Sequence, residues 1–430
     1  MPQQPESPVA SVRRSPLLPT SRLILQPLAI HREDDEFIVG RVDAGTFAAM
    51  PEIAVHVIRL LQSGIPLEQV QARLVEEHGA EVDLEAFIDQ LLELEFIQSI
   101  DGRQLEVEPV AAAHLGRIEA RHVGWIFGWP GTVAFAALMA GGALALIRRP
   151  DLLPSYHDFS WTASSSVVLV GNALWLVFNQ LIHELAHLFA ARSLGLPARL
   201  ELSTRLHFVV AQTQLSSLWS VPRRHRLGVY LAGIAWDLIP IAVGLMLSAF
   251  LPLSLPFRRF LAAVMLINWL GILWQFNVYL RTDIYYVILE LVRGHNLYED
   301  SLAYLGGRVH RLLRRVGVAE SLRYLGTPVP DLGPTEARRV RIYAALILLG
   351  SVVSLSVFLA YSLPLVVSMV AQAVGSAVAG AQMHEPWAIL DGVLATLALL
   401  GGQLLFAIVF VRRRMATRPQ PRASNPIQPA

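Results

Sequence analysis

Residues 166–192 read SVVLVGNALWLVFNQLIHELAHLFAAR. On a helix, at 1.5 Å per residue, this run is about 40 Å long, enough to span a bilayer. It nevertheless carries three ionisable side chains: His183, Glu184 and His187. Ionisable groups at membrane depth are costly, so their presence points to function. Residues four apart share a helix face, so His183 and His187 offer two imidazoles to one point, with Glu184 beside them. This is the HExxH arrangement of zinc hydrolases, two metal ligands and a general base. The alternative is a pair of buried histidines bonded to neighbouring helices, which leaves Glu184 without a purpose.

The rest of the chain fits a membrane setting. Of 430 residues, 54% are hydrophobic and only 16% charged, and the mean hydropathy is +0.47. That balance describes a polytopic membrane protein. A net charge of +1 gives no sign of nucleic-acid binding, and all 35 basic residues are Arg. There is no Cys, so disulfides and thiolate sites are excluded and a metal must be held by N and O donors.

Residues 1–21 are rich in Pro, Ser and Gln, lack a signal-peptide core, and are expected to form a disordered tail. Residues 22–101 form a small soluble α+β domain. Short strands are expected over Leu23–Ile30 and Phe37–Val42, around the charged turn HREDDE. Three helices follow, near Ala48–Gln62, from Pro66 to Gly79, and after Asp83 as N-cap. A last strand, Phe96–Ile100, completes a winged-helix-like pattern. Residues 102–122 are a polar linker.

Six membrane spans are expected: Val123–Ile147, Ser166–Arg192, Leu227–Leu251, Phe260–Leu280 (with apolar character continuing to Val292), Val340–Val370 and Trp387–Val411. The fifth is longer than a crossing needs and reads as tilted or partly outside the membrane. Residues 123–294 make a core, 295–340 a cytoplasmic connection, 341–412 a C-terminal helix pair and 413–430 a second disordered tail. Arg crowds the connections 192–226 and 281–341 and the C-terminal tail, while the other side holds only Arg148, Arg149, Arg258 and Arg259. The positive-inside rule then puts both termini in the cytoplasm, for a multi-pass protein of the inner (plasma) membrane. His187 falls about 8 Å, and His183 about 14 Å, from the cytoplasmic end of its span. Within the connection, Tyr298–Val316 is amphipathic, with Leu302, Leu305, Val309, Leu312 and Val316 on one face. It either lies on the anionic inner leaflet or packs on the protein as a solvated helix.

Two His do not complete a catalytic zinc site, which takes three protein ligands and a water. Asp283 follows the fourth span at the depth of the two His. Asp237, inside the third span, is the runner-up; a hydrogen bond between spans is the other use for it. His207, His225 and Glu201 are weaker candidates in the cytoplasmic connection.

The chain resembles the site-2 protease group of intramembrane zinc metalloproteases. These carry HExxH in one transmembrane helix and an Asp, usually in an LDG motif preceded by an Asn, in a later one. His183, Glu184 and His187 match the first motif, and Thr282-Asp283-Ile284 stands in place of the second. Tyr285-Tyr286, Pro222-Arg223-Arg224 and Leu231-Ala232-Gly233 resemble the peptide zinc metalloprotease branch. The likeness runs from about Val123 to Gly294. It lacks the Gly after the Asp and the usual Pro near Asn277. It implies Zn²⁺ held by His183, His187 and Asp283, Glu184 as catalytic base, and Asn277 steadying substrate or oxyanion. The N-terminal domain is similar to PqqD-like peptide chaperones, through Leu67–Leu74 and the Glu95–Ile97 end, which implies peptide capture on a sheet edge. Its many Glu and Asp argue against a DNA-binding winged helix.

The expectation is a mainly α, six-helix membrane bundle with an N-terminal α+β domain, acting as a zinc endopeptidase on a peptide or membrane-associated protein. Two other classes stay open: a non-catalytic peptide-binding or export component, and a transporter with a His/Glu proton relay.

Overall fold

The computed structural model describes residues 17–34, 36–79, 82–105, 114–162, 164–205, 208–293, 297–315 and 333–416. Residues 1–16 and 417–430 of the expected tails, residues 106–113 of the expected linker, His207 and Val316 lie outside the described residues.

The chain starts with a small sheet region. Strands β1 (Leu23–Leu25), β2 (Ala29–Glu33), β3 (Glu36–Arg41) and β4 (Thr46–Met50) lead to helices α1 (Glu52–Gln62), α2 (Leu67–His78) and α3 (Leu84–Glu93), then β5 (Ile97–Ile100) and β6 (Arg103–Gln104). They form two antiparallel sheets, ordered β1-β5-β6 and β2-β3-β4. The expected first strand is therefore two, each in a different sheet. The region read as the start of a helix at Ala48 is instead β4. Pro51 explains this: the residue before a proline is driven to extended backbone, so the strand runs to Met50 and the helix starts after the proline. Asp83 caps α3 as expected, accepting from Ala86 N at 3.0 Å. Gly79 ends α2 in the left-handed conformation (φ 61°). Phe87, Ile88, Leu91, Phe96, Met50 and Leu74 fill the core between sheets and helices. Residues 17–21, expected in the tail, are tied down: Ser21 Oγ bonds Asp101 Oδ2 at 2.9 Å, and Leu17 packs on this core.

Among the described residues, six helices are long and apolar enough to cross a membrane; the last two, Pro334–Ala360 and Val366–Met383, both overlap the expected fifth span, while the expected sixth, Trp387–Val411, contributes the shorter apolar stretch Pro386–Gly401. The first expected span is broken at Gly128 into α4 (Ala120–Phe127) and α5 (Trp129–Arg148). A proline two residues later, lacking an N–H, fits that restart. Next come α6 (Ser165–Ser193), a hairpin of β7 (Arg199–Arg205) and β8 (Phe208–Gln214), a short 3₁₀ turn over Ser216–Ser220, α7 (Arg223–Phe250) and α8 (Leu255–Trp274). The hairpin occupies what reads in sequence as a plain connection. The fourth span does not continue to Val292: it stops at Trp274, and α9 (Asp283–Leu291) starts afresh after a 3₁₀ turn over Val278–Leu280.

Helix α10 (Leu297–Arg315) packs on α11 (Pro334–Val357), burying Ser301 and Ala303. Leu302 and Val309, on the apolar stripe expected to act together, are exposed beside Arg308 and Arg311. Helix α11 passes through a π turn (Phe358–Ser362) directly into α12 (Leu363–Met383), so the long fifth span is one continuous helical run. Its first half lies against the 278–280 turn: Tyr343 OH donates to Val278 O at 2.8 Å, and Gly350 leaves room only for the Tyr279 ring. Helix α13 (Pro386–Ala416) closes the chain and lies along α12 and α6. Asp391 on α13 accepts from Ser166 N at 3.0 Å and so caps the start of α6.

Candidate metal centre

Helix α6 carries His183 and His187 one turn apart, both buried (3% and 2% exposed). Each imidazole is held by its Nδ1. His183 Nδ1 lies 2.9 Å from Asp237 Oδ2, and His187 Nδ1 lies 2.8 Å from Val229 O; both partners are on α7. A carbonyl and a carboxylate can only accept, so in the neutral rings both Nδ1 atoms carry the hydrogen. Both Nε2 atoms then present lone pairs to one point.

Asp283 comes to that point from the opposite side. Its Oδ2 lies 3.0 Å from His183 Nε2 and 3.2 Å from His187 Nε2, and the two Nε2 atoms are 3.2 Å apart. Three acceptors at such separations repel one another unless a cation or protons lie between them. Protonating both rings would instead set two N–H groups together at the 3.2 Å histidine separation. Tetrahedral zinc, at about 2.0–2.1 Å from each donor, holds its donors about 3.3 Å apart, close to the spacing here. Among the described residues, this trio is the one group of His, Asp and Glu able to hold a metal ion. The donor set, two imidazoles and a carboxylate, suits zinc in a site that keeps a position open.

Local sequence explains how Asp283 arrives. Arg281 takes the left-handed conformation (φ 57°), a bend usually left to glycine, and Thr282 stands at the N-cap position of α9 without a side-chain capping bond. Thr282 Oγ1 donates to Gln275 O at 2.5 Å, and Asp283 N donates to Gln275 Oε1 at 3.0 Å. The Gln275 side chain thus pins the turn. Asp283 is the first residue of its helix, where the N-terminal end of the helix dipole favours a carboxylate.

Helix α7 supplies the wall. A Cβ added at Gly233 would lie 2.5 Å from His187 Nε2 and closer still to His183 Nε2. Only glycine leaves the imidazoles their space. Asp237 is not the third member of the trio; it backs His183. Its Oδ1 accepts from Asn179 Nδ2 at 2.8 Å, and Asn179 Oδ1 accepts from Trp236 Nε1 at 3.0 Å. This is the carboxylate–histidine support that fixes the orientation and basicity of a ligating ring.

Glu184 is buried (6% exposed) and anchored on both oxygens. Oε2 accepts from Thr213 Oγ1 at 2.7 Å and Oε1 from Gln180 Nε2 at 3.1 Å. Thr213 is on β8, so the hairpin fixes the carboxylate. No hydrogen bond brings Asn277 to the imidazoles: its Nδ2 donates to Trp274 O at 2.9 Å, at the end of α8. Glu201 and His225, described elsewhere in the chain, are not members of the trio. Sequence reasoning missed Gly233, Gln275, Thr213, Asn179 and Trp236. Of these only Gly233 carried a signal, within the Leu231-Ala232-Gly233 likeness.

Comparison with protein-family models, curated proteins and solved structures returns no match.

Proposed function

We propose that the protein is a multi-pass zinc metalloendopeptidase of the site-2 protease type, acting on a peptide or membrane-associated protein. The observation that carries this reading is the convergence of Asp283 Oδ2 on the two Nε2 atoms of the HExxH motif. A zinc ion held by His183 Nε2, His187 Nε2 and Asp283 Oδ2 would polarise a scissile carbonyl and acidify a bound water. The chain's own groups do the rest. Asp237 and the Val229 carbonyl hold each ring with its lone pair forward. Glu184 accepts a proton from water on its carboxylate and delivers it to the leaving amine nitrogen. Thr213 and Gln180 keep that carboxylate in place during both transfers.

Asp283 is the least buried member of the trio, at 20%. Water and substrate reach the centre from its side. The Arg distribution makes that side cytoplasmic, with both termini there and the spans in the inner membrane. The sheet region at the N-terminus, PqqD-like in its pattern of strands and helices, would capture the peptide and pass it to the site.

The test is Glu184→Gln in the full-length protein in detergent. Zinc content should match the parent, while cleavage of a peptide library, read by mass spectrometry, should fall at least about 100-fold. A variant that cuts as fast as the parent would sink the mechanism.

A further inference from the structure

Arg226 is the most saturated polar group in the described molecule outside the metal centre. It is fully buried, and all five of its N–H donors are used. Nε and Nη2 fork onto Glu290 at 2.7 and 2.8 Å, and Nη1 and Nη2 fork onto Glu33 at 2.8 and 2.5 Å. Nη1 also donates to Val221 O at 3.0 Å, and the guanidinium lies over the Trp219 ring, 4.7 Å from its centre. Glu290 is on α9 and Glu33 is at the end of β2, so one side chain joins the N-terminal sheet region to two helices of the metal centre. Arg223 adds a second cation, 3.0 Å from Glu33 and 3.5 Å from Glu290. Two Arg then balance two Glu. Burial alone would raise the Glu33 carboxyl, but hydrogen bonds from His31 and Arg226, with the charges of Arg226 and Arg223, hold it well below the usual carboxylate range.

The placement along the helices is what matters. Arg226, Tyr230 and Gly233 are at i, i+4 and i+7 of α7, one face. Asp283, Tyr286 and Glu290 are at i, i+3 and i+7 of α9, also one face. The two faces meet as three rungs. Arg226 grips Glu290, Tyr230 stacks on Tyr286 (5.2 Å, 17° between planes), and Gly233 adjoins the imidazoles that meet Asp283. The first rung is about 10 Å along the helix from the third, at 1.5 Å per residue. Val229, whose carbonyl holds His187, lies between them. The ion cluster therefore sets the distance between the helix that orients the imidazoles and the helix that supplies the carboxylate.

We propose that Arg226 is a positioning residue that ties docking of the N-terminal region, through Glu33, to the assembly of the metal-binding trio. The inference rests on the zinc reading above. With Glu33 withdrawn, Glu290 faces buried Arg226 and half-buried Arg223 alone, and the α7–α9 spacing relaxes. Glu33 touches none of the three metal-binding residues, so its effect on metal affinity must pass through the ladder. Lys at position 226 cannot replace a fork that serves two carboxylates at once.

The experiment is zinc competition against a chromogenic chelator, with cobalt absorption as a second readout, on the full-length protein in detergent. Glu33→Gln should weaken zinc about threefold to tenfold, below the range for direct supports of a metal ligand, with parent stoichiometry at saturation and an altered cobalt spectrum. Arg226→Lys should weaken it at least as much. Asp34→Asn, which loosens contacts to Arg223 and Arg293 only, should stay within twofold of the parent. Should Arg226→Lys fail to fold, Glu33→Gln decides alone. Parent-like zinc affinity and an unchanged cobalt spectrum in Glu33→Gln would overturn the coupling and leave the zinc reading standing. A parent protein that binds neither metal would overturn both.

Discussion

Gly233→Ala separates the metal centre from the fold around it, because the two should respond by very different amounts. The added methyl carbon would sit 2.5 Å from His187 Nε2 and His183 Cε1. Carbon contacts are comfortable at about 3.5 Å or more, so something must move by about 1 Å. The rings cannot retreat freely, since Asp237 and the Val229 carbonyl hold their Nδ1 atoms. If α7 moves instead, it takes those two acceptors with it. Either way at least one donor leaves the trio by several times the roughly 0.2 Å that a zinc site tolerates. Zinc affinity should fall at least about 100-fold, or about 2.7 kcal/mol. The metal-free protein should lose much less, because the cost of overpacking, about 1–3 kcal/mol, is offset by the roughly 1 kcal/mol by which Ala is favoured over Gly in a helix interior. Chelator competition reads the first effect. Thermal unfolding with and without zinc reads the second: the variant should lie within about 2 kcal/mol of the metal-free parent and lose the upward shift that zinc gives. A variant that binds zinc within threefold of the parent would refute the packing argument.

Asp237→Asn should retain the fold but weaken zinc about 10-fold to 100-fold, as loss of a carboxylate behind a ligating imidazole does; parent-like affinity in chelator competition would remove Asp237 from the site. Docking of the N-terminal region should depend on pH through Glu33, which faces His31, Arg223 and Arg226 with Glu290 across the guanidinium. Its carboxyl is held low in the folded state, so its ionised form supports docking fully above the ordinary value of about 4.3, and that support is lost as pH falls from there toward the folded value. Protection of the β2 amides from hydrogen exchange, taken relative to the intrinsic rate at each pH, should therefore be flat from about pH 7 to 5 and fall below, with the fall much reduced in Glu33→Gln. A parent and variant with the same profile would remove Glu33 from the docking contact.

The candidate metal-binding turn was legible because its logic is local: His183 and His187 are four apart on one helix, in a stretch where polar groups need a reason. Asp283 was legible by depth, from its place after the fourth span, and by its place in the resembled motif. What placed it was not. The Gln275 hook, the left-handed Arg281 and the start of α9 replace the glycine and proline of the resembled motif, and no periodicity announces such a turn. Pro51 did carry the signal for β4, but the helical pattern after it drew the boundary four residues too early. The Glu33–Arg226 fork joins residues 193 positions apart, and Thr213 reaches Glu184 across 29. Pairings of that kind come from packing between units, which a single sequence does not encode in any local spacing. On α10 the expected apolar stripe is split: Leu302 and Val309 are exposed, while Leu305 packs on the cluster of Tyr285, Leu289, Tyr343 and Ile347, and Tyr298, Ser301 and Ala303 make the fit to α11.

The central claim is that one turn of α6 and the first residue of α9 hold a divalent ion between them. Metal analysis of the purified full-length protein, parent beside Asp283→Ala, tests it most directly. The account predicts about one zinc per parent chain and little or none in the variant at the same protein recovery. A parent without metal, or a variant that keeps the parent's zinc, would contradict it.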